Sequence, residues 1–208
     1  MKLQKPFNRA VFSRILLSIF GIFLIGFGGA LIRYSGFGTD PYSGMNLGVS
    51  QTVGIMYGTW QFIFNGIILV WMFFVDRTKI GFGTLISMSC IGYLSDFSLF
   101  VLTALLGEGA LYLRIFSLLA AILAVCFGIV IYIDAKLGIA PYDALSLIIS
   151  EKLKKPQWFK WCRLGTDLVC VITAFIFHGP LGIGTVIMAL FTGPLMTLIR
   201  KARLFQQN

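Results

Sequence analysis

Gly38-Thr39-Asp40-Pro41-Tyr42-Ser43 is matched one hundred residues later by Gly138-Ile139-Ala140-Pro141-Tyr142-Asp143. Each copy follows a long apolar segment and precedes a polar gap and two further apolar segments. A second pair closes each half: Ile80-Gly81-Phe82-Gly83-Thr84-Leu85-Ile86 against Leu181-Gly182-Ile183-Gly184-Thr185-Val186-Ile187, offset by one residue more. The chain therefore reads as a single domain over 1–208 built from two copies of one unit, about 11–106 and about 111–201. The number of membrane crossings per unit decides what the pair can do.

Composition demands the membrane. Of the 208 residues 58% are hydrophobic and 12% charged, with a mean hydropathy of +0.89. A soluble domain of this size could not hide so much apolar surface, whereas lipid accepts it on all sides. The formal charge of +9 does not point to nucleic acid, because Lys and Arg lie between and beside apolar segments, as membrane-flanking charges do. Cys90, Cys126, Cys162 and Cys170 show no CxxC spacing and His178 is the sole histidine. A zinc site, another cofactor or a disulfide framework is not expected. The apolar stretch behind Lys2, Lys5, Arg9 and Arg14 reads as a retained transmembrane helix, since nothing downstream resembles a mature soluble domain.

Six segments are apolar enough to span, at about 15–33, 58–75, 82–106, 112–133, 163–178 and 181–199. The fifth is short and Asp167 interrupts it. Positive charge orients them: it collects at the N-terminus, at Arg77 and Lys79, at Lys152, Lys154, Lys155, Lys160 and Arg163, and at Arg200, Lys201 and Arg203. The connection 34–57 has no Lys or Arg, 107–111 has only Glu108, and 178–180 only His178. Six crossings with both termini inside put every rich connection in the cytoplasm. Three crossings per unit is an odd number, so the second unit enters from the opposite side. The expected architecture is thus an all-α polytopic protein of two inverted three-helix repeats, each with a short helix begun at Pro-Tyr. The competing reading lets 41–55 and 141–153 span as well, giving parallel copies; Glu151, Lys152, Lys154 and Lys155 fit poorly there.

Gly-x-Gly-x-x-Pro-Tyr, with Lys136 in place of the first glycine in copy two, ends one helix and starts another. Glycine permits the terminating backbone angles, and Pro41 and Pro141 suit the first helical position. Asp40 stands where an N-cap is needed; Ala140 cannot cap, but Asp143 lies in the first turn, where the helix dipole favours an anion. These helices either re-enter the protein with their N-termini aimed at a ligand, or lie at the interface as plain linkers. A pair kept in register in both halves favours the first. Small-residue spacings such as Gly44-x-x-x-Gly48 and Gly26-x-x-x-Ala30 are read as packing.

Polar residues inside spans are costly and informative. Gln61 and Asn65 share a helix face. Asp96 sits deep in the third segment, lining a cavity or pairing with Arg33 or Arg114. Asp167 lies one turn beyond Arg163, which makes a local ion pair its simplest role. Candidate substrate-binding residues are Asp40, Tyr42, Ser43, Asn46, Asn65, Tyr142 and Asp143. Candidates for carrying a coupling proton are Asp96 and Asp167.

Gly-Phe-Gly-Thr-Asp-Pro-Tyr at 36–42, Leu-Gly-Ile-Ala-Pro-Tyr-Asp-Ala-Leu at 137–145 and Ile-Gly-Tyr-Leu-Ser-Asp-Phe at 91–97 resemble the YczE/YyaS group of bacterial integral membrane proteins, relatives of the YitT-type proteins. The resemblance covers nearly the whole chain and implies a bacterial plasma-membrane protein; it supplies no substrate. That family usually places an acid after the motif aromatic, as Asp143 does, whereas Ser43 departs from it and would hand any acidic role to Asp40.

The expected function is a small secondary transporter or exporter of an unidentified small molecule, working by alternating access. Two other classes are weighed against it. One is an accessory or sensor protein docking a cytoplasmic partner through the basic 152–163 stretch, although Trp158 and Trp161 there also suit headgroup contact. The other is the substrate-binding subunit of an energy-coupled importer, which would leave the inverted motifs unexplained. An enzyme is not expected, for the chain has no HExxH, no GxSxG and no clustered carboxylates. The expected surroundings are lipid, with homodimerisation one way for two small repeats to enclose a cavity.

Overall fold

The computed structural model describes residues 9–107 and 109–205. Among them the chain is all-helical: α1 (Arg9–Ser35), α2 (Pro41–Val53), α3 (Tyr57–Val75), α4 (Phe82–Leu106), α5 (Leu111–Asp134), α6 (Pro141–Lys152), α7 (Phe159–Ile176) and α8 (Ile183–Phe205), with single 3-10 turns at Arg77–Lys79 and Pro156–Trp158. Lys2, Lys5 and Glu108, which helped orient the chain, lie outside the described residues.

Among the described residues four helices are long and apolar enough to cross a membrane: Val11–Ser35, Tyr57–Val75, Phe82–Leu106 and Leu111–Asp134. Six were expected, and the two shortfalls have separate causes. The apolar part of α8, Ile183–Ile199, is slightly short. In α7 the cause is charge, since the helix begins at Phe159 and so takes in Lys160 and Arg163 as well as Asp167. Its outer face is nonetheless apolar and bare, with Leu168, Ile172 and Phe175 all exposed. On α3, α4, α5 and α7, Phe74, Phe100, Phe116 and Phe175 are 70–78% exposed, an apolar surface that suits lipid and not water.

Small residues set the central seam. α1 and α5 pack more extensively than any other pair, and they run antiparallel. A Cβ on Gly21 would stand 2.8 Å from Gly128 O, and one on Gly28 would stand 2.7 Å from Val125 Cγ2 and 3.3 Å from Ala121 O. Only backbones bare on that side approach so closely.

The two repeated phrases of the sequence are the two sides of one contact, made twice. Gly83 N donates to Leu137 O at 2.7 Å, and Gly184 N donates to Phe37 O at 2.7 Å. Ile139 N donates to Lys79 O, and Thr39 N to Pro180 O, each at 3.1 Å. Gly81 N and Gly182 N donate to Thr84 Oγ1 and Thr185 Oγ1, again each at 3.1 Å. Every bond in the first list of partners has its counterpart with the halves exchanged. The Lys79 carbonyl is presented by the 77–79 turn, which Asp76 caps through Thr78 N and Oγ1; the Thr78 hydroxyl holds that exposed carboxyl below its usual range.

Backbone conformation is repeated as well. Gly36 and Lys136 are both left-handed, at φ 68° and 54°, and Gly38 and Gly138 stand at φ 100° and 114°. Lysine thus occupies a glycine conformation in the second half. α2 and α6 then start at Pro41 and Pro141. Asp40 caps α2 as expected, accepting from Ser43 N at 3.0 Å. α2 is buried from Pro41 through Ser50 and emerges only at Gln51. It is therefore an interior helix, not an interfacial linker. α6 is buried on alternating faces and ends in exposed Glu151 and Lys152.

Candidate functional site

The N-termini of α2 and α6 meet in the middle of the molecule. The rings of Tyr42 and Tyr142 stack there, with centroids 4.1 Å apart and planes 17° from parallel. Each hydroxyl donates to the third helix of its own half: Tyr42 to Asn65 Oδ1 at 2.9 Å, Tyr142 to Asp167 Oδ1 at 2.5 Å. One helical turn before these acceptors stand Gln61 and Arg163. The plan is the same in both halves, but the first half builds it from amides and the second from charges.

Arg163 holds the charged half together. Its guanidinium reaches Asp143 Oδ1 at 2.6 Å and Asp167 Oδ1 at 3.5 Å, and lies over the Tyr142 ring, 4.7 Å from its centroid. Asp143 is in the first turn of α6, so the ion pair also anchors that helix end. Around these groups lies an inner cavity of 90 Å³, several times the space that one water needs. Asp40, Ser43, Tyr57, Gln61, Asn65 and Asp167 are among its lining residues. Gln61 is only 4% exposed, and among the described residues its Oε1 has no hydrogen-bond partner.

A second cavity, of 960 Å³, lies between α5, α6 and α8 and shares Asp143 and Arg163 with the first. Its rim carries Lys79, Lys136, Lys160 and Lys201 against Asp134 and Glu151, with Lys79 paired to Glu151 at 2.8 Å. The opposite side is tied shut by side chains. There Arg33 on α1 reaches Asp96 on α4 at 2.7 Å, and Asp96 Oδ2 accepts from Gly58 N of α3 at 3.1 Å. Arg33 also sits over the Tyr57 ring, whose hydroxyl donates to Ser43 Oγ of α2 at 3.1 Å. Four helices are thereby tied together at one end, and α1 packs against α4 much more extensively than α5 against α8.

Seven of the nine residues singled out in the sequence line the inner cavity: Asp40, Tyr42, Ser43, Asn65, Tyr142, Asp143 and Asp167. Asn46 and Asp96 stand elsewhere. Asn46 is fully buried and donates from Nδ2 to Tyr42 O at 2.8 Å, bracing the first turn of α2. Asp96 takes the pairing with Arg33 that its depth in the helix made one of its options. Tyr57, Gln61 and Arg163 belong to the site and were not among the nine. Gln61 had a signal, its i, i+4 spacing from Asn65. Arg163 had one too, the same spacing from Asp167, but it also fitted the run of membrane-flanking charges.

The family described as "Family of unknown function (DUF6198)" matches residues 12–201. The chain belongs to that family. Among its relatives, the uncharacterized membrane protein YczE of Bacillus subtilis (strain 168) is 30% identical over 175 residues, 83% of this chain and 79% of that protein. The uncharacterized protein YyaS of the same organism is 31% identical over 185 residues, 85% of this chain and 87% of its own length. A Haemophilus influenzae protein is 26% identical over 185 residues, 88% and 82% of the two chains. The YczE/YyaS resemblance read from the motifs therefore holds, and with the apolar helices it makes this family member an integral membrane protein. Kinship with YitT-type proteins remains an expectation from the motifs. No solved structure matches the chain.

Proposed function

We propose that this protein is a small secondary carrier of the bacterial plasma membrane, with six crossings, both termini cytoplasmic, and two inverted repeats that rock about the Tyr42–Tyr142 stack. The reading assigns it no covalent chemistry. One observation carries it: reciprocal bonds tie the two halves around an inner polar cavity that is bolted on one side and faces a wide cavity on the other. An antiparallel α1–α5 seam and head-to-head half-helices are what a two-fold axis in the membrane plane requires. Alternating access then means that the Arg33–Asp96 tie loosens as α5 and α8 close. The apolar outer faces of α7 and α8 support counting them as crossings. Trp158 and Trp161, both exposed and each under a lysine at 4.2 and 5.2 Å, suit the headgroup level on the cytoplasmic side.

Topology is the test. Thr52, in the last turn of α2, and Lys154, just past α6, are both exposed. Cys90 is exposed, so single cysteines belong on a cysteine-free background. Thr52→Cys is expected to react with a membrane-impermeant maleimide in intact cells, and Lys154→Cys only after lysis. Labelling of both from one side would overturn the inverted repeat and the carrier reading with it.

A further inference from the structure

The inner cavity's charge does not balance, and the imbalance has a sign. With their carboxyls ionised, Asp40, Asp143 and Asp167 set three negative charges against one guanidinium, Arg163, an excess of two. Two helix N-termini converge there, and each is worth about +0.5 of a charge. A deficit of about one positive charge remains. The half-helix ends are not vacant anion sites either, because Asp40 already caps α2 and Asp143 already occupies the first turn of α6.

The surroundings suit a cation with a soft, organic head. Tyr42, Tyr142 and Tyr57 line the cavity, and two of these rings already carry a guanidinium, Arg163 over Tyr142 and Arg33 over Tyr57. Gln61 Oε1 is an unused acceptor in a side chain that is 96% buried, being 4% exposed. Such an atom costs free energy unless a donor meets it. Among the described residues no three His, Cys, Asp or Glu converge as metal ligands would. Arg163 itself displays the recognition chemistry, for it lies against a carboxylate at 2.6 Å and over a tyrosine ring at 4.7 Å. The rim of the wide cavity is more basic than acidic, so selection for charge is made inside and not at the mouth.

We propose that the inner cavity binds one monovalent organic cation, an ammonium or guanidinium head, held by Asp40 and Asp167 with Gln61 Oε1 as a further acceptor. Arg163 is its resident stand-in at Asp143. The proposal takes the route to the site from the carrier reading, but binding itself does not depend on transport.

Three ligands with one ring and three charges test it: benzylammonium, benzamide and benzoate, together with guanidinium. Thermal unfolding of the detergent-solubilised full chain is followed at about 10 mM ligand, saturating for any Kd of about 1 mM or tighter. Benzylammonium or guanidinium is expected to raise the unfolding temperature, and benzamide and benzoate to leave it unchanged. Asp40→Asn keeps the helix cap, since Asn caps as well as Asp, and is expected to weaken cation binding at least tenfold without lowering the ligand-free unfolding temperature. Gln61→Met is expected to weaken it in the same direction. Stabilisation by benzoate, equal shifts with all ligands, no shift with either cation, or undiminished binding in Asp40→Asn would each overturn the proposal. Flux is measured separately in liposomes. Cation binding without flux removes the carrier reading and leaves this one, whereas flux of benzoate does the reverse.

Discussion

Gly138→Ala is expected to leave almost no folded protein, and Gly38→Ala to do the same. At Gly138 a Cβ would fall 2.7 Å from Gly81 N and 2.5 Å from Thr84 Oγ1; at Gly38 it would fall 2.5 Å from Gly182 N and 2.7 Å from Thr185 Oγ1. Both glycines also stand at φ above 95°, at 100° and 114°, a region hostile to any side chain. Backbone strain of that kind costs about 1–3 kcal/mol. The clash adds to it, because the obstacle is the backbone of the opposite half and has nowhere to go. Against a total stability of about 5–15 kcal/mol, the sum is enough to lose the fold. The measurement is the yield and unfolding temperature of monodisperse protein extracted in detergent. Gly66→Ala is the control: it lies inside α3 with nothing within 4 Å of the added atom, and it should be neutral or stabilise by about 0.5–1 kcal/mol. If Gly138→Ala matches Gly66→Ala, the crossed contact between the halves is not holding the structure.

Arg163→Ala is the second large effect. It strips the counter-ion from Asp143 and Asp167, which are 13% and 6% exposed at their side chains. An uncompensated buried charge costs about 3–5 kcal/mol. The variant is expected to accumulate poorly and to unfold far below the parent chain. The remedy is written in the first half, which folds the same plan without ions. Asp143→Ser, Arg163→Gln and Asp167→Asn together give the second half the side chains found at Ser43, Gln61 and Asn65. This triple variant is expected to recover most of the stability that Arg163→Ala loses, because a hydrogen-bonded neutral set replaces a half-dismantled charged one. It should also fail to bind benzylammonium. A triple variant no more stable than Arg163→Ala would mean that the two halves are not built to one plan at these positions.

Much of this was legible beforehand, for identifiable reasons. Repetition is a property of sequence, so the two short helices begun at Pro41 and Pro141 could be read off directly. Asp40 as a cap and Asp143 in a first turn follow from position relative to proline. Boundaries were good where charge is sparse, as at 82–106 with Asp96 its one charged residue, and poor at α7, which takes in Lys160, Arg163 and Asp167. A hydropathy reading discounts the very residues that a buried site needs. The two echoes were visible, but similarity does not reveal contact: nothing in Gly38 or Gly138 says that each rests on the glycine pair of the other half. The partner of Asp96 was among those named for it, whereas the bracing role of Asn46 depends on the rotation of α2, which local pattern does not set.

The crossed bonds between halves also govern when the chain can finish folding during synthesis. Thr39 N waits for Pro180 O, its partner 141 residues downstream. At ribosomal rates of about 5–20 residues per second, the first unit stands in the bilayer on the order of ten seconds with Phe37 O and Thr39 N unmet. The last turn before α8 is therefore a latch thrown at the end. A chain interrupted before residue 180 leaves an unclosed first unit, a form that membrane quality control could recognise by those bare backbone groups.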